Sequence, residues 1–158
     1  MSGKASSTVD WQRLWVATRQ KAWTSLAIIP SDIGVDIGQV ADSLVAAGRL
    51  HGEKPVTLLK ATGAQLNDVR QLIEKLNVMT ARGEWVIVAV DPIEDNPSVI
   101  PLVRAASAAL LVVRLGESLL ASAHTAIDTV GRARFLGSVV LGRRRAPRGT
   151  IVQAPPPT

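Results

Sequence analysis

The chain contains no cysteine and no tyrosine. Without cysteine there can be no disulfide, no thiolate nucleophile and no cysteine-based zinc site. Without tyrosine the chain cannot be phosphorylated on a tyrosine of its own. Histidine is nearly as scarce. His51 and His124 stand far apart with no carboxylates near them at metal-ligand spacing, and both read as surface residues. No apolar run reaches the roughly 18–20 residues needed to cross a bilayer, and the opening "MSGKASSTVD" lacks the apolar stretch of a signal peptide. The expectation is a soluble, cytoplasmic protein. A hydrolase triad is also absent: Ser118, His124 and Asp128 share one helical stretch at spacings that point the serine away from the other two, and there is no nucleophile elbow.

What is present is a chain of 158 residues, 47% of them hydrophobic. At about 150 residues one domain buries roughly two-thirds of its unfolded surface, so a real core is expected. The net charge of +5 is concentrated near the end, where Arg143, Arg144, Arg145 and Arg148 precede "APPPT". Either this tail is simply solvated, or it makes an electrostatic contact with anionic lipid headgroups or an acidic partner. Nucleic acid is the less favoured partner, because no aromatic side chain is interleaved with the arginines for base stacking.

Five continuous runs rich in Val, Ile and Leu, at 25–30, 55–61, 85–90, 108–114 and 135–141, read as strands buried on both faces of a parallel sheet. Helical stripes lie between them: Val40, Leu44 and Ala47; Leu66, Val69, Leu72, Ile73 and Leu76; Leu119, Leu120, Ala123, Ile127 and Val130. Alternating strands and helices imply right-handed crossovers and a three-layer, doubly wound α/β sheet. The expected organisation is an N-terminal helix within 1–24, one α/β domain over 25–142, and a basic, Pro-rich tail over 143–158. Ser7 or Thr8 could cap the first helix, with Asp10 near its positive end. Trp11, Leu14, Trp15 and Thr18 share one face of it, which either packs on the sheet domain or forms an interface for another subunit.

"LAIIPSDIGVDIGQVADSLVAAG", residues 26–48, has the outline of a phosphate-binding strand, loop and helix, but no lysine stands in the loop. The order of elements resembles the cytoplasmic domain of bacterial tyrosine autokinases, the BY-kinases of capsule and exopolysaccharide synthesis, within the MinD/ParA group of P-loop ATPases. Its most specific stretch is residues 85–141, where Leu111, Val112, Val113, Arg114 and Gly116 match an "LLVVR-x-G" strand, and Leu136, Gly137 and Val139 match an "LGxVL" strand.

The resemblance also shows what has changed. Laid on the family's G-x-G-K-[ST]-T loop, Gly34 is kept, while Asp36, Ile37, Gly38 and Gln39 replace the second glycine, the lysine, the Mg²⁺ hydroxyl and the threonine. Lys60 and Thr62 stand where the family has its Asp-x-Asp. Ala89 stands at the next metal-positioning aspartate, with Asp91 two residues beyond. Asp36 in place of a phosphate-facing glycine is electrostatically unfavourable to a phosphate. The E-x-x-R-x-x-R oligomerisation pattern survives in part, as Asp10, Arg13 and Val16.

The resemblance therefore implies a P-loop-NTPase-like fold without a functional phosphate loop, no cofactor and no catalytic residues. The function it implies is that of a non-catalytic accessory protein of exopolysaccharide or capsule biosynthesis and export. Such a protein would bind the cytoplasmic part of an inner-membrane polysaccharide co-polymerase, the chain-length regulator. Trp11, Arg13 and Trp15 are the candidate partner contacts, with the arginine tail as a peripheral membrane contact and homo-oligomerisation open. Two alternatives stand beside it: a divergent active ATPase or tyrosine kinase recruiting Lys60, Asp36 and Asp91, and a MinD/ParA-like spatial organiser.

Overall fold

β-Branched side chains suit a pleated surface, and a strand covered on both faces needs no polar alternation. The computed structural model describes residues 10–116 and 120–142; the four tail arginines, Ser7, Thr8, Ser118 and Leu119 lie outside these. Strand β1 (Ser25–Pro30) and strand β3 (Trp85–Ala89) are buried at every position. Strand β4 (Ala108–Arg114) is buried over its first five residues. Strands β2 (Val56–Lys60) and β5 (Phe135–Leu141) take the edges and are only partly buried. The sheet order is β2-β3-β1-β4-β5, and every neighbouring pair is parallel.

Parallel pairing forces each connection to cross over the sheet, and right-handed crossovers then decide the face. The step from β1 out to β2 runs through helix α2 (Ile37–His51), preceded in the chain by α1 (Trp11–Thr18). The three steps in the opposite direction run through α3 (Leu66–Ala81), α4 (Ile100–Ala105) and α5 (Leu120–Val130). Two apolar clusters result, one per face. Val69, Leu76, Leu102, Val103, Ala123 and Ala126 meet one face, and Trp15, Val40, Leu44 and Ala47 meet the other. This is the doubly wound α/β architecture expected from the alternation of elements.

The N-terminal helix joins that second layer through tryptophan. Asp10 is its cap, with Oδ1 accepting from the Arg13 amide at 3.1 Å. Trp15 is 1% exposed, and its indole lies so close to α2 that a Cβ on Gly48 would stand 2.7 Å from the ring. Trp15, Trp23 and Trp85 form a triangle with centroid separations of 5.6, 5.9 and 6.2 Å. The Arg19 guanidinium covers Trp85 at 3.7 Å and Trp23 at 4.6 Å, and donates to the Trp23 carbonyl at 2.7 Å. Burial lowers the Arg19 pKa from its ordinary value, and Glu53 works in the opposite direction. The helix is thus part of the domain's core, and Trp15 is corrected from a candidate partner contact to a packing residue.

Candidate functional site

In a doubly wound sheet, neighbouring strands whose connections leave to opposite faces open a crevice at their carboxyl ends. Here β1 leads to α2 on one face and β3 leads to α4 on the other, so the crevice falls above these two strands. A cleft of about 360 Å³ lies there, lined by Val35, Asp36, Ile37, Gly38, Ala41, Leu58, Lys60, Thr62 and Ala89. Ala89, the last residue of β3, pairs with Lys60, the last of β2, and with Ile28 of β1, so the β2 and β3 ends are level and β1 runs on to Pro30. The fold therefore brings together Asp36, Ile37, Gly38, Lys60, Thr62 and Ala89, which are far apart in the chain. Gly34, Gln39 and Asp91 are not among the lining residues.

The loop between β1 and α2 is held by its own carboxylates. The Asp32 Oδ1 accepts from the Gly34 amide at 3.0 Å, a side-chain-closed turn of the kind aspartate favours. Asp36 is the N-cap of α2, with Oδ1 accepting from the Gln39 amide at 3.2 Å. A helix start offers unpaired N–H groups and positive potential, which in phosphate sites meet the ligand. In this chain a side-chain carboxylate takes up one of those donors and places its charge there. Asp36 thus has a local structural role that alignment by motif does not reveal. Ile37, at the lysine's place in the motif, is turned into the core at 7% exposure.

Lys60 is the cation of the cleft; it and Thr62 are exposed. A second cleft of about 390 Å³ continues past them along Gly63, Asp68, Gln71 and Lys75. Asp91 has a different task. Its Oδ2 accepts from the Gly63 amide at 2.6 Å and from the Asn96 side-chain amide at 2.9 Å, while the same Asn96 nitrogen donates to the Ala64 carbonyl at 2.8 Å. This knot ties the loop after β2 to the loop after β3. Asn96 and Asp32 were missed in the sequence. The "SDIG" turn signature was legible for Asp32, whereas nothing local marks Asn96, whose partners are 32 and 5 residues away. No group of three or more His, Asp or Glu side chains that could hold a metal ion occurs among the described residues. Trp11 is half-buried at the edge of the tryptophan layer and Arg13 is exposed, so both remain at the surface.

The α2 start carries the Asp36 carboxylate, the buried Ile37 and Gly38, which has no side chain.

An all-parallel five-stranded sheet with a loop and helix after its central strand is consistent with a P-loop-NTPase-like α/β fold. No family model matches the sequence, and no curated protein does. Solved structures do. The chimerical protein CapA2B2 superimposes with a TM-score of 0.69 at 12% identity, over 86% of this chain and 84% of that one. The kinase domain of the Escherichia coli tyrosine kinase ETK gives a TM-score of 0.64 at 15% identity, over 89% of this chain and 75% of that one. The fold is that of a bacterial tyrosine kinase domain.

Proposed function

We propose that this chain is a non-catalytic, pseudokinase-like accessory protein of exopolysaccharide or capsule biosynthesis and export. It acts by binding the cytoplasmic part of an inner-membrane polysaccharide co-polymerase. The observation that carries the loss of catalysis is the Asp36 carboxylate capping α2 where a phosphate would otherwise sit. The pathway follows from the likeness of residues 85–141 to the tyrosine autokinases, and the kinase-domain fold supports it. The surface of α1 around Trp11 and Arg13 is the proposed contact, and the arginine-rich tail suits a position against acidic groups at the inner face of the membrane.

Titration calorimetry with Mg²⁺-ATP tests the catalytic half of this reading: no heat of binding at micromolar protein is expected, and micromolar affinity overturns it. Co-purification with a co-polymerase in detergent tests the other half. Trp11→Ala with Arg13→Ala should abolish capture while leaving the unfolding transition in place; retained capture rejects the α1 contact. A second reading, a divergent ATPase or kinase, is favoured by one observation: Lys60 reaches the cleft rim beside Thr62. Nucleotide turnover abolished by Lys60→Met would establish it.

A further inference from the structure

Alternate residues of a strand bond to the neighbour on one side, so a strand at a sheet edge keeps its other set of backbone groups unpaired. β2 is such an edge, and β3 alone pairs with it among the described residues. The Trp85 amide donates to the Pro55 carbonyl at 2.9 Å, and the Ala61 amide to the Ala89 carbonyl at 2.8 Å. With Val56 opposite Trp85 and Lys60 opposite Ala89, the parallel ladder then assigns Thr57 and Leu59 to β3 as well. The amides and carbonyls of Val56, Leu58 and Lys60 turn outward. Arg49 closes the first part of this edge, its Nε donating to the Val56 carbonyl at 3.0 Å. Leu58 and Lys60 each present an amide and a carbonyl on the part that stays open. The opposite edge strand, β5, begins with a register irregularity against Ala109 and Leu110, a distortion that discourages strand addition.

Two clefts flank the open part, one on each face of the sheet. The first, of about 360 Å³, has Ile37, Ala41, Leu58 and Ala89 as its apolar lining on the α2 face, and includes the Asp36 carboxylate. The second, of about 390 Å³, lies on the α3 face and carries Thr62, Gln71 and Lys75. Lys60 and Thr62 belong to both. Neither Lys60 nor Lys75 forms an ion pair with a described residue. Asp68, the carboxylate of the second cleft, is engaged in capping α3, its Oδ2 accepting from the Gln65 amide at 3.0 Å.

A strand laid beside β2 sends alternate side chains to the two faces, so the clefts dictate its pattern. Apolar walls and the Asp36 charge favour an uncharged, apolar side chain in the first. Two lysines without a counter-charge favour a carboxylate in the second. Lysine on an edge strand also acts against pairing with basic strands.

We propose that the edge of β2 at Leu58 and Lys60 binds an extended acidic peptide by strand addition, with its apolar side chains entering the first cleft and its carboxylates the second. Backbone hydrogen bonds supply the affinity, and the two clefts supply the selectivity. This surface and the α1 contact share no residue, so either can fail alone.

Fluorescence anisotropy of the full chain with a labelled hexapeptide alternating valine and glutamate tests it. Saturable binding, weakened by salt, is expected, at least about tenfold tighter than binding of the hexapeptide alternating valine and glutamine. Lys60→Glu with Lys75→Glu should weaken it by about tenfold or more. Arg70→Glu with Arg132→Glu makes the same change in net charge away from the clefts and should alter affinity by less than about twofold. N-methylation separates strand addition from charge attraction alone. Only alternate amides of an added strand face its neighbour, so methylating every valine amide or every glutamate amide should abolish binding in one case and spare it in the other. Amide exchange at Leu58 and Lys60 should slow in the complex.

Absence of saturable binding, equal affinity for the glutamine peptide, wild-type affinity in the double lysine variant, equal effects of the two methylated peptides, or unchanged exchange at Leu58 and Lys60 each overturns the proposal.

Discussion

Gly48 sits inside α2, where glycine ordinarily costs helix stability, and the structure says why it is there. A Cβ at this position would lie 2.7 Å from both Cη2 and Cζ3 of Trp15 and 2.9 Å from Cζ2. The indole cannot retreat easily, because Trp23 meets it edge-on at 5.6 Å and Trp85 closes the other side at 5.9 Å. Two opposing effects therefore act on Gly48→Ala. Helix propensity favours alanine by about 1 kcal/mol. Overpacking against a rigid neighbour costs about 1–3 kcal/mol. The clash should win, for a net loss of about 1 kcal/mol and a fall in Tm of about 2–4 °C for a chain of this size. In a Trp15→Leu background the ring is gone, so the same substitution should become stabilising by up to about 1 kcal/mol. The double-mutant cycle then yields a coupling of about 2 kcal/mol. Urea unfolding followed by far-ultraviolet circular dichroism measures all four proteins, with the emission of Trp23 and Trp85 as a second probe. If Gly48→Ala stabilises the wild type as much as the Trp15→Leu protein, the docking of α1 on α2 is wrong.

Three other substitutions probe separate parts of the argument. Asp36→Ala should cost about 1 kcal/mol and Asp36→Gly only a few tenths, the signature of a lost helix cap, measured by chemical unfolding; equal effects would point to some other role for the carboxylate. Ser107→Ala should cost about 1–3 kcal/mol, because the Ser107 Oγ accepts from the Thr24 and Ser25 amides at 3.0 and 3.1 Å and donates to the Ser25 carbonyl at 2.9 Å, so its loss strands groups at the entry to β1; a neutral outcome means these amides find water. Asp91→Ala should speed amide exchange at Gly63 while leaving α2 protected, since Asp91 Oδ2 holds that amide at 2.6 Å; unchanged exchange would show that the knot is unnecessary to the loop.

The strands could be read off the chain because the burial that creates them is written locally. A run such as "LAIIP" or "WVIVA" has no polar face to expose, and the observed strands β1, β4 and β5 coincide with the expected spans of 25–30, 108–114 and 135–141. At β2 and β3 the expectation ran a residue or so too far, to 55–61 and 85–90, where Ala61 and Val90 still donate backbone hydrogen bonds at 2.8 and 3.4 Å beyond the assigned strands. The membership of the cleft was half legible. The motif comparison named Asp36, Ile37, Gly38, Lys60, Thr62 and Ala89, but Val35, Ala41 and Leu58 line it only because the fold sets the start of α2 beside the neighbouring strands β2 and β3.

The sequence by itself determined the alternation of strand and helix, the two-sided burial of the central strands and the lack of a lysine in the loop after β1. These follow from side-chain type and near-neighbour spacing, which no folding step can alter. Tertiary structure alone decided that Trp15 is inside the core and that Gly48 is required opposite it. Each of those depends on which strands lie side by side, and that order is settled by crossover handedness and by competition among long-range contacts that leave no mark on adjacent residues.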